Sequence, residues 1–103
     1  MSSYGLTPLA KADIFEIWRH IAQDNLDAAN RVERVIYEAC EFLAAGPLRG
    51  HVRRDLTNRT LRFWTLVRYP NYTLVYRPEA KPLEVVAVLL GKRNVRAILR
   101  NRP

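Results

Sequence analysis

Two amphipathic helical stretches follow each other with almost no chain between them, and this constrains the fold more than any other feature of the sequence. Thr7-Pro8 reads as a helix start, with threonine at the N-cap and proline at the first helical position. Ala10, Ile14, Ile17, Trp18 and Ile21 then recur at helical spacing as one apolar stripe, leaving Asp13, Glu16, Arg19 and His20 mostly outside it. Asn25 reads as a second N-cap. Beyond it Ala29, Val32, Ile36, Ala39 and Leu43 share a face that Val35, Cys40 and Phe42 widen. Gly46-Pro47 closes this helix, glycine being suited to a left-handed cap and proline unable to continue. Helices joined this tightly fold back on each other as an αα-hairpin.

The remainder has a different periodicity. Residues 3–6 form a short strand ahead of the hairpin, and residues 46–60 read as a loop. Three apolar, β-branched runs follow: Leu61–Arg68, Tyr72–Arg77 and Leu83–Leu90, punctuated by Pro70-Asn71 and by the segment Pro78 to Pro82. Tyr72, Leu74 and Tyr76 alternate with Thr73, Val75 and Arg77, as in a half-buried strand. Val85–Leu90 is apolar on both faces, as in a central strand, and Gly91 ends it. Val95–Leu99 adds a short helix before the basic tail Arg100-Asn101-Arg102-Pro103. The expected fold is α+β over a single domain, residues 1–103: an N-terminal strand, an αα-hairpin packed on an antiparallel sheet of about four strands, and a short C-terminal helix.

Charge is distributed unevenly. Residues 1–48 hold four basic groups (Lys11, Arg19, Arg31, Arg34) against seven acidic ones, a balance of −3. Residues 49–103 hold thirteen basic groups against three acidic ones (Asp55, Glu79, Glu84), a balance of +10, and these sum to the net +7 of the chain. Eleven of the thirteen are arginine, suited to bidentate pairing with phosphate or carboxylate. Such a split implies a negatively charged partner, either nucleic acid or an acidic protein segment, or else a solvated basic face. With 49% apolar and 26% charged residues the composition is that of a globular domain. No apolar run is long enough to span a membrane and the N-terminus lacks a signal-peptide pattern, so a cytoplasmic location is expected.

Familiar catalytic constellations are missing. His20 and His51 have no partner at metal-ligand spacing, and the scattered glycines make no phosphate loop. The single Cys40 lies on the stripe of the second helix and reads as a core residue, while Asp13 and Glu16 read as a solvated surface pair. No cofactor is implied. What is left is arginine with aromatics: Arg62, Trp64, Arg68, Tyr69, Tyr72, Tyr76 and Arg77 lie on or between two of the strands. Two readings are open: bases stack on these rings while arginines hold phosphate, or the rings fill the core and the arginines rim the sheet.

The stretches LTPLAKADIFEIWRHIAQDN, GHVRRDLTNRTLRFW, YTLVYRP and VVAVLLGKRNVRAIL, in this order and spacing, resemble the ParE/RelE superfamily of bacterial toxins. These are the toxin halves of type II toxin–antitoxin pairs, also described as plasmid-stabilisation proteins. RelE-like members are ribosome-dependent endoribonucleases that cut messenger RNA with two lysines, two arginines and a tyrosine. In register with this chain, the lysines fall at Trp64 and Leu66, one arginine at Thr73 and the tyrosine at Leu99; only Arg93, in Gly91-Lys92-Arg93, matches. Cleavage needs groups that take and give protons and cations around the phosphorane, which Trp, Leu and Thr do not supply. One arginine stabilises charge but stays protonated.

The resemblance therefore points to the ParE-like branch, whose better-known members block DNA gyrase by binding and arrest replication. It implies a non-enzymatic toxin, with Arg93 catalytic only in a RelE-like alternative. It also implies a cognate ParD-like antitoxin held in a hetero-oligomeric complex. Arg93, Arg96, Arg100 and Arg102 are expected to engage the target, and Trp18, Arg62, Arg68 and Arg77 the antitoxin. Direct contact with nucleic acid is left open by the residues themselves.

Overall fold

The structure, a computed structural model, describes residues 3–91 and 94–103. Its elements run β1 (Tyr4–Leu6), α1 (Pro8–Ala22), α2 (Leu26–Ala45), β2 (Arg62–Thr65), β3 (Tyr72–Arg77), β4 (Leu83–Leu90) and α3 (Val95–Arg100). Both helix starts are capped as their sequences require. The Thr7 hydroxyl accepts from the Ala10 N–H at 3.1 Å, and the Asn25 side chain accepts from the Ala28 N–H at 3.0 Å. Gly46 ends α2 with φ −149°, outside the left-handed region, so the expected left-handed cap is not used there. Among the described residues the left-handed positions are instead Gly91 (φ 70°), which turns the chain out of β4, and Asn94 (φ 46°) at the start of α3.

The sheet has the order β1-β4-β3-β2. Strands β2, β3 and β4 are antiparallel neighbours, as their short connections demand. β1 departs from the expected all-antiparallel sheet: it pairs in parallel with β4 in the register Tyr4↔Leu83 to Leu6↔Val85. The hairpin and two strands intervene between β1 and β4, so no tight turn fixes their relative direction. β2 is also shorter than Leu61–Arg68, because the chain leaves the ladder after Thr65 to turn at Pro70-Asn71.

Two cores result, one on each face of the sheet. Under the hairpin, Ala10, Ile14 and Ile17 of α1 and Val32, Ile36, Cys40 and Leu43 of α2 meet Leu66, Leu74, Tyr76, Val85 and Val88. On the opposite face Phe63, Val75, Val86, Ala87 and Leu89 are covered by Val95 and Leu99 of α3 and by Leu61. A bulge feeds this second core: Val75 pairs with Ala87 and Tyr76 with Val85, which leaves Val86 as the extra residue. Val86 and Ala87 consequently both belong to the second core. β4, apolar on both sides, is thus the central strand that its sequence implies.

Past the end of β1 the outer edge of β4 is covered by side chains instead of a strand. The Thr7 hydroxyl reaches the Val86 carbonyl at 3.4 Å, the Asp13 carboxylate accepts from the Val88 N–H at 3.0 Å, and the Arg102 guanidinium donates to the Val86 carbonyl at 3.0 Å. An open strand edge is an aggregation hazard, and these three groups close most of it.

Candidate functional site

The basic half of the chain divides into arginines that hold the fold and arginines that face solvent. Arg62 donates to the Gly50 carbonyl at 2.8 Å and stitches the loop to β2. Arg77 pairs with Glu84 across the β3–β4 ladder and also donates to the main-chain oxygen of Pro103. Arg59 donates to the carbonyls of Leu99 and Arg102, each at 2.9 Å, and to that of Pro103. Arg102 clasps Asp13 with both of its terminal nitrogens, at 2.9 and 3.0 Å. Asp13 is therefore not a solvated surface carboxylate, and the Arg102 guanidinium faces the fold instead of a target.

The other expected target residues are placed differently. Arg96 and Arg100 are exposed on α3 and border a cleft of about 380 Å³ with Leu56, Thr57 and Arg59. Arg96 donates through Nε to the Asp55 carbonyl at 2.7 Å. Arg93 lies outside the described residues. Asp55 forms a two-pronged ion pair with Arg53 at 2.9 and 2.7 Å, and that pairing, helped by the charge of Arg96, holds its carboxyl below the usual carboxylate range.

The residues expected to meet the antitoxin do not form one cluster. Arg62 and Arg77 are bonded within the fold, and Arg68 is exposed in the β2–β3 turn. Trp18 is half-buried on the hairpin, where its indole donates to the Asn30 side chain at 2.9 Å and ties α1 to α2. Phe15, 57% exposed, stacks beside Trp18 with ring centroids 6.3 Å apart, giving the hairpin an exposed aromatic pair. Sequence reasoning missed Phe15; the signal that could have found it is a large apolar residue outside the α1 stripe. Phe42, expected within the buried face of α2, is exposed too. Its ring lies 5.3 Å from that of Trp64, with the Arg49 guanidinium 4.1 Å above it.

The aromatics on and beside the strands belong to the core. Tyr76 is fully buried, and Trp64, Tyr69 and Tyr72 pack against the hairpin-side core. They leave no row of open rings for bases. At the positions in register with the RNA-cutting residues, Leu66 and Leu99 are buried, Trp64 packs on Phe42, and the Thr73 hydroxyl is 3.2 Å from that of Thr65. Burial pushes the Cys40 thiol up to about 12, so it is an inert core group.

A concavity of about 720 Å³ opens on the face opposite the hairpin. Phe63, Leu89, Val95 and Leu56 line its apolar part, while His51, Arg53, Asn71, Thr65 and Thr73 provide its polar groups. Neither strand pattern nor motif revealed it, because it forms where the loop before β2 meets the exit from β4.

A sheet covered by a helical hairpin on one face and a basic C-terminal helix on the other defines a small α+β protein that exposes an aromatic pair on the hairpin and arginines on α3. The chain belongs to the family described as ParE toxin of type II toxin–antitoxin system, parDE, whose sequence model matches residues 4–95. Among solved structures it is similar to a chain of the chromosomal ParDE toxin–antitoxin system from P. aeruginosa. The two are 22% identical, with a TM-score of 0.73 over 89% of this chain and 98% of the other, a likeness of fold. A search of curated protein sequences gives no match. No helix among the described residues is long and apolar enough to cross a membrane.

Proposed function

We propose that this toxin acts in the cytoplasm by binding, inhibiting DNA gyrase until a ParD-like antitoxin covers it. The observation that carries the non-catalytic reading is the burial of Leu66 and Leu99 at positions where the RNA-cutting relatives need proton-transfer groups. Target engagement is assigned to the exposed arginines of α3, Arg96 and Arg100, and to Arg93, three residues before Arg96 in sequence. Arg102 contributes by holding the tail to α1. The antitoxin is assigned to the hairpin pair Phe15 and Trp18 and to Arg68, its acidic groups complementing the basic half of the chain. Apolar burial supplies most of that affinity, and charge sets register and association rate.

Induction without antitoxin, with labelled thymidine and methionine followed over the first minutes, tests the reading. DNA synthesis should stop first while protein synthesis continues, and purified gyrase should lose supercoiling activity. Early collapse of protein synthesis would instead favour a ribosome-dependent nuclease using Arg93.

A further inference from the structure

The geometry points to a docking site for an acidic protein segment, built from the 720 Å³ groove and the arginine cleft beside it, which takes one large apolar side chain in the groove and carboxylates on Arg96 and Arg100. This inference rests on the reading of the chain as a toxin that works by binding, and it adds where and how an occupant is held.

Three observations favour this occupant. First, the groove and the cleft both border Leu56, so a single extended segment bridges them. Second, charge is one-sided. The carboxylate of Asp55, whose carbonyl Arg96 holds, is already paired with Arg53, and among the described residues no carboxylate lies within ion-pair distance of Arg96 or Arg100. A second copy of this chain presenting the same basic surface is disfavoured for that reason. Third, the apolar part of the groove is aliphatic apart from Phe63, a residue that is only 5% exposed. Nucleic-acid strands gain affinity by stacking bases on open aromatic faces, and this groove offers none from its strands. An apolar side chain needs no such face, only desolvated aliphatic contact, and the volume is that of a side-chain or small-ligand pocket.

The test uses the purified full-length chain and three fluorescein-labelled probes followed by anisotropy. The first is a twelve-residue peptide with Phe-Leu at its centre and aspartate or glutamate on both sides. The second replaces Phe-Leu by Ser-Ser, and the third is a twelve-nucleotide single-stranded RNA. The first peptide should bind at least tenfold more tightly than either of the others. Thr65→Trp, which places an indole at an exposed wall of the groove, should weaken it at least tenfold. Arg96→Glu should weaken it at least fivefold and flatten its salt dependence, whereas Arg31→Glu on α2 should leave it unchanged.

Absence of binding at 100 µM in the probe titration, on the order of the weak millimolar-to-micromolar range, overturns the proposal. Equal binding of the Ser-Ser peptide does so too, since charge alone then suffices, and tighter binding of the RNA makes this a nucleic-acid surface. Should Thr65→Trp lose its native circular dichroism, Arg96→Glu carries the test. Peptide binding without arrest of DNA synthesis on induction would leave the site standing and remove the gyrase reading, so the two failures are separable.

Discussion

Asp13 and Arg102 stand 89 residues apart in sequence and form a bidentate ion pair that fastens the C-terminal segment to the first helix. The same carboxylate accepts the Val88 N–H, so one side chain of α1 secures both the tail and the uncovered edge of β4. The pair is largely out of water, with side-chain exposures of 11% for Arg102 and 20% for Asp13. Removing one partner of such a pair leaves the other charge badly solvated. Asp13→Ala and Arg102→Met are each expected to cost about 2–4 kcal/mol in urea unfolding. The double variant should cost clearly less than their sum, because neither charge is then stranded. Full additivity would show that the two residues do not interact.

This clasp changes what tail truncation measures. A chain ending at Leu99 loses Arg102 together with the Arg102 and Pro103 carbonyls that Arg59 holds. Its unfolding midpoint is expected to fall along with its toxicity. Arg100→Ala, by contrast, alters an exposed side chain and should keep the stability within about 0.5 kcal/mol of the wild type, the usual range for surface changes. Thermal melts paired with growth assays separate the two effects. Wild-type toxicity in the Arg100→Ala, Arg96→Ala double variant would remove α3 from target engagement.

A second fixture ties the loop to the sheet. The buried Tyr76 hydroxyl accepts from the Gly50 N–H at 2.8 Å and donates to the Pro47 carbonyl at 2.7 Å. Tyr76→Phe strands that N–H and should cost about 1–3 kcal/mol. Gly50→Ala attacks the same junction from the other side. A Cβ at Gly50 would stand 2.5 Å from the Tyr76 hydroxyl and 3.0 Å from the Phe63 carbonyl, and backbone cannot swing aside as a flexible side chain can. Combining the two changes should be markedly less than additive by denaturant titration.

The hairpin, β3 and β4 were legible because their signals are local: caps at Thr7 and Asn25, and alternation along Tyr72–Arg77. The two-sided burial of β4 was also legible, since a strand apolar on both faces has to be central. What the sequence hid is non-local. Nothing near Tyr4 specifies a parallel partner 79 residues away, and nothing around Arg59, Arg62, Arg77 or Arg102 distinguishes a structural guanidinium from one reserved for a partner. Arginine in a basic half reads as binding surface, yet four of these side chains are spent on carbonyls and carboxylates of the fold itself. Phe15 points the other way: it sits where the helical period leaves a polar face, and exposure is what that position implies.

Alkaline pH should unfold the protein earlier than a chain without Cys40. Burial holds the thiol at about 12, against an ordinary value of 9.0, and also raises the half-buried Tyr72 and the buried Tyr76. The folded state thus keeps protons that the unfolded chain releases between these values. Stability present below pH 9 is lost as pH rises, by at most about 1.4 kcal/mol per pH unit for each group. Urea midpoints at pH 8 and pH 10.5 should diverge more for the wild type than for Cys40→Ala, the tyrosine contribution cancelling in the comparison. Equal slopes would mean that the thiol titrates as in water.

Affinity for the antitoxin is expected to depend on Phe15 far more than on Arg62. Phe15 is exposed, stacks on Trp18 and has no role in the core, so its burial has to come from a partner if it is to be buried at all. Exposed aromatics that become desolvated at an interface dominate its energetics. Phe15→Glu should weaken the toxin–antitoxin Kd by 10- to 100-fold, about 1.4–2.8 kcal/mol, while leaving the melting temperature and toxicity of the free toxin unchanged. Arg62→Ala should do the reverse: it frees the loop that the guanidinium holds through the Gly50 carbonyl and lowers stability, with a smaller effect on affinity. Calorimetric titration of each folded variant with the antitoxin, beside its melting curve, measures both quantities. In cells, antitoxin co-expression should no longer restore growth to Phe15→Glu, whereas Phe15→Tyr should be neutralised normally. Full rescue of Phe15→Glu would remove the hairpin from the antitoxin interface and leave Arg68 as the remaining assigned contact.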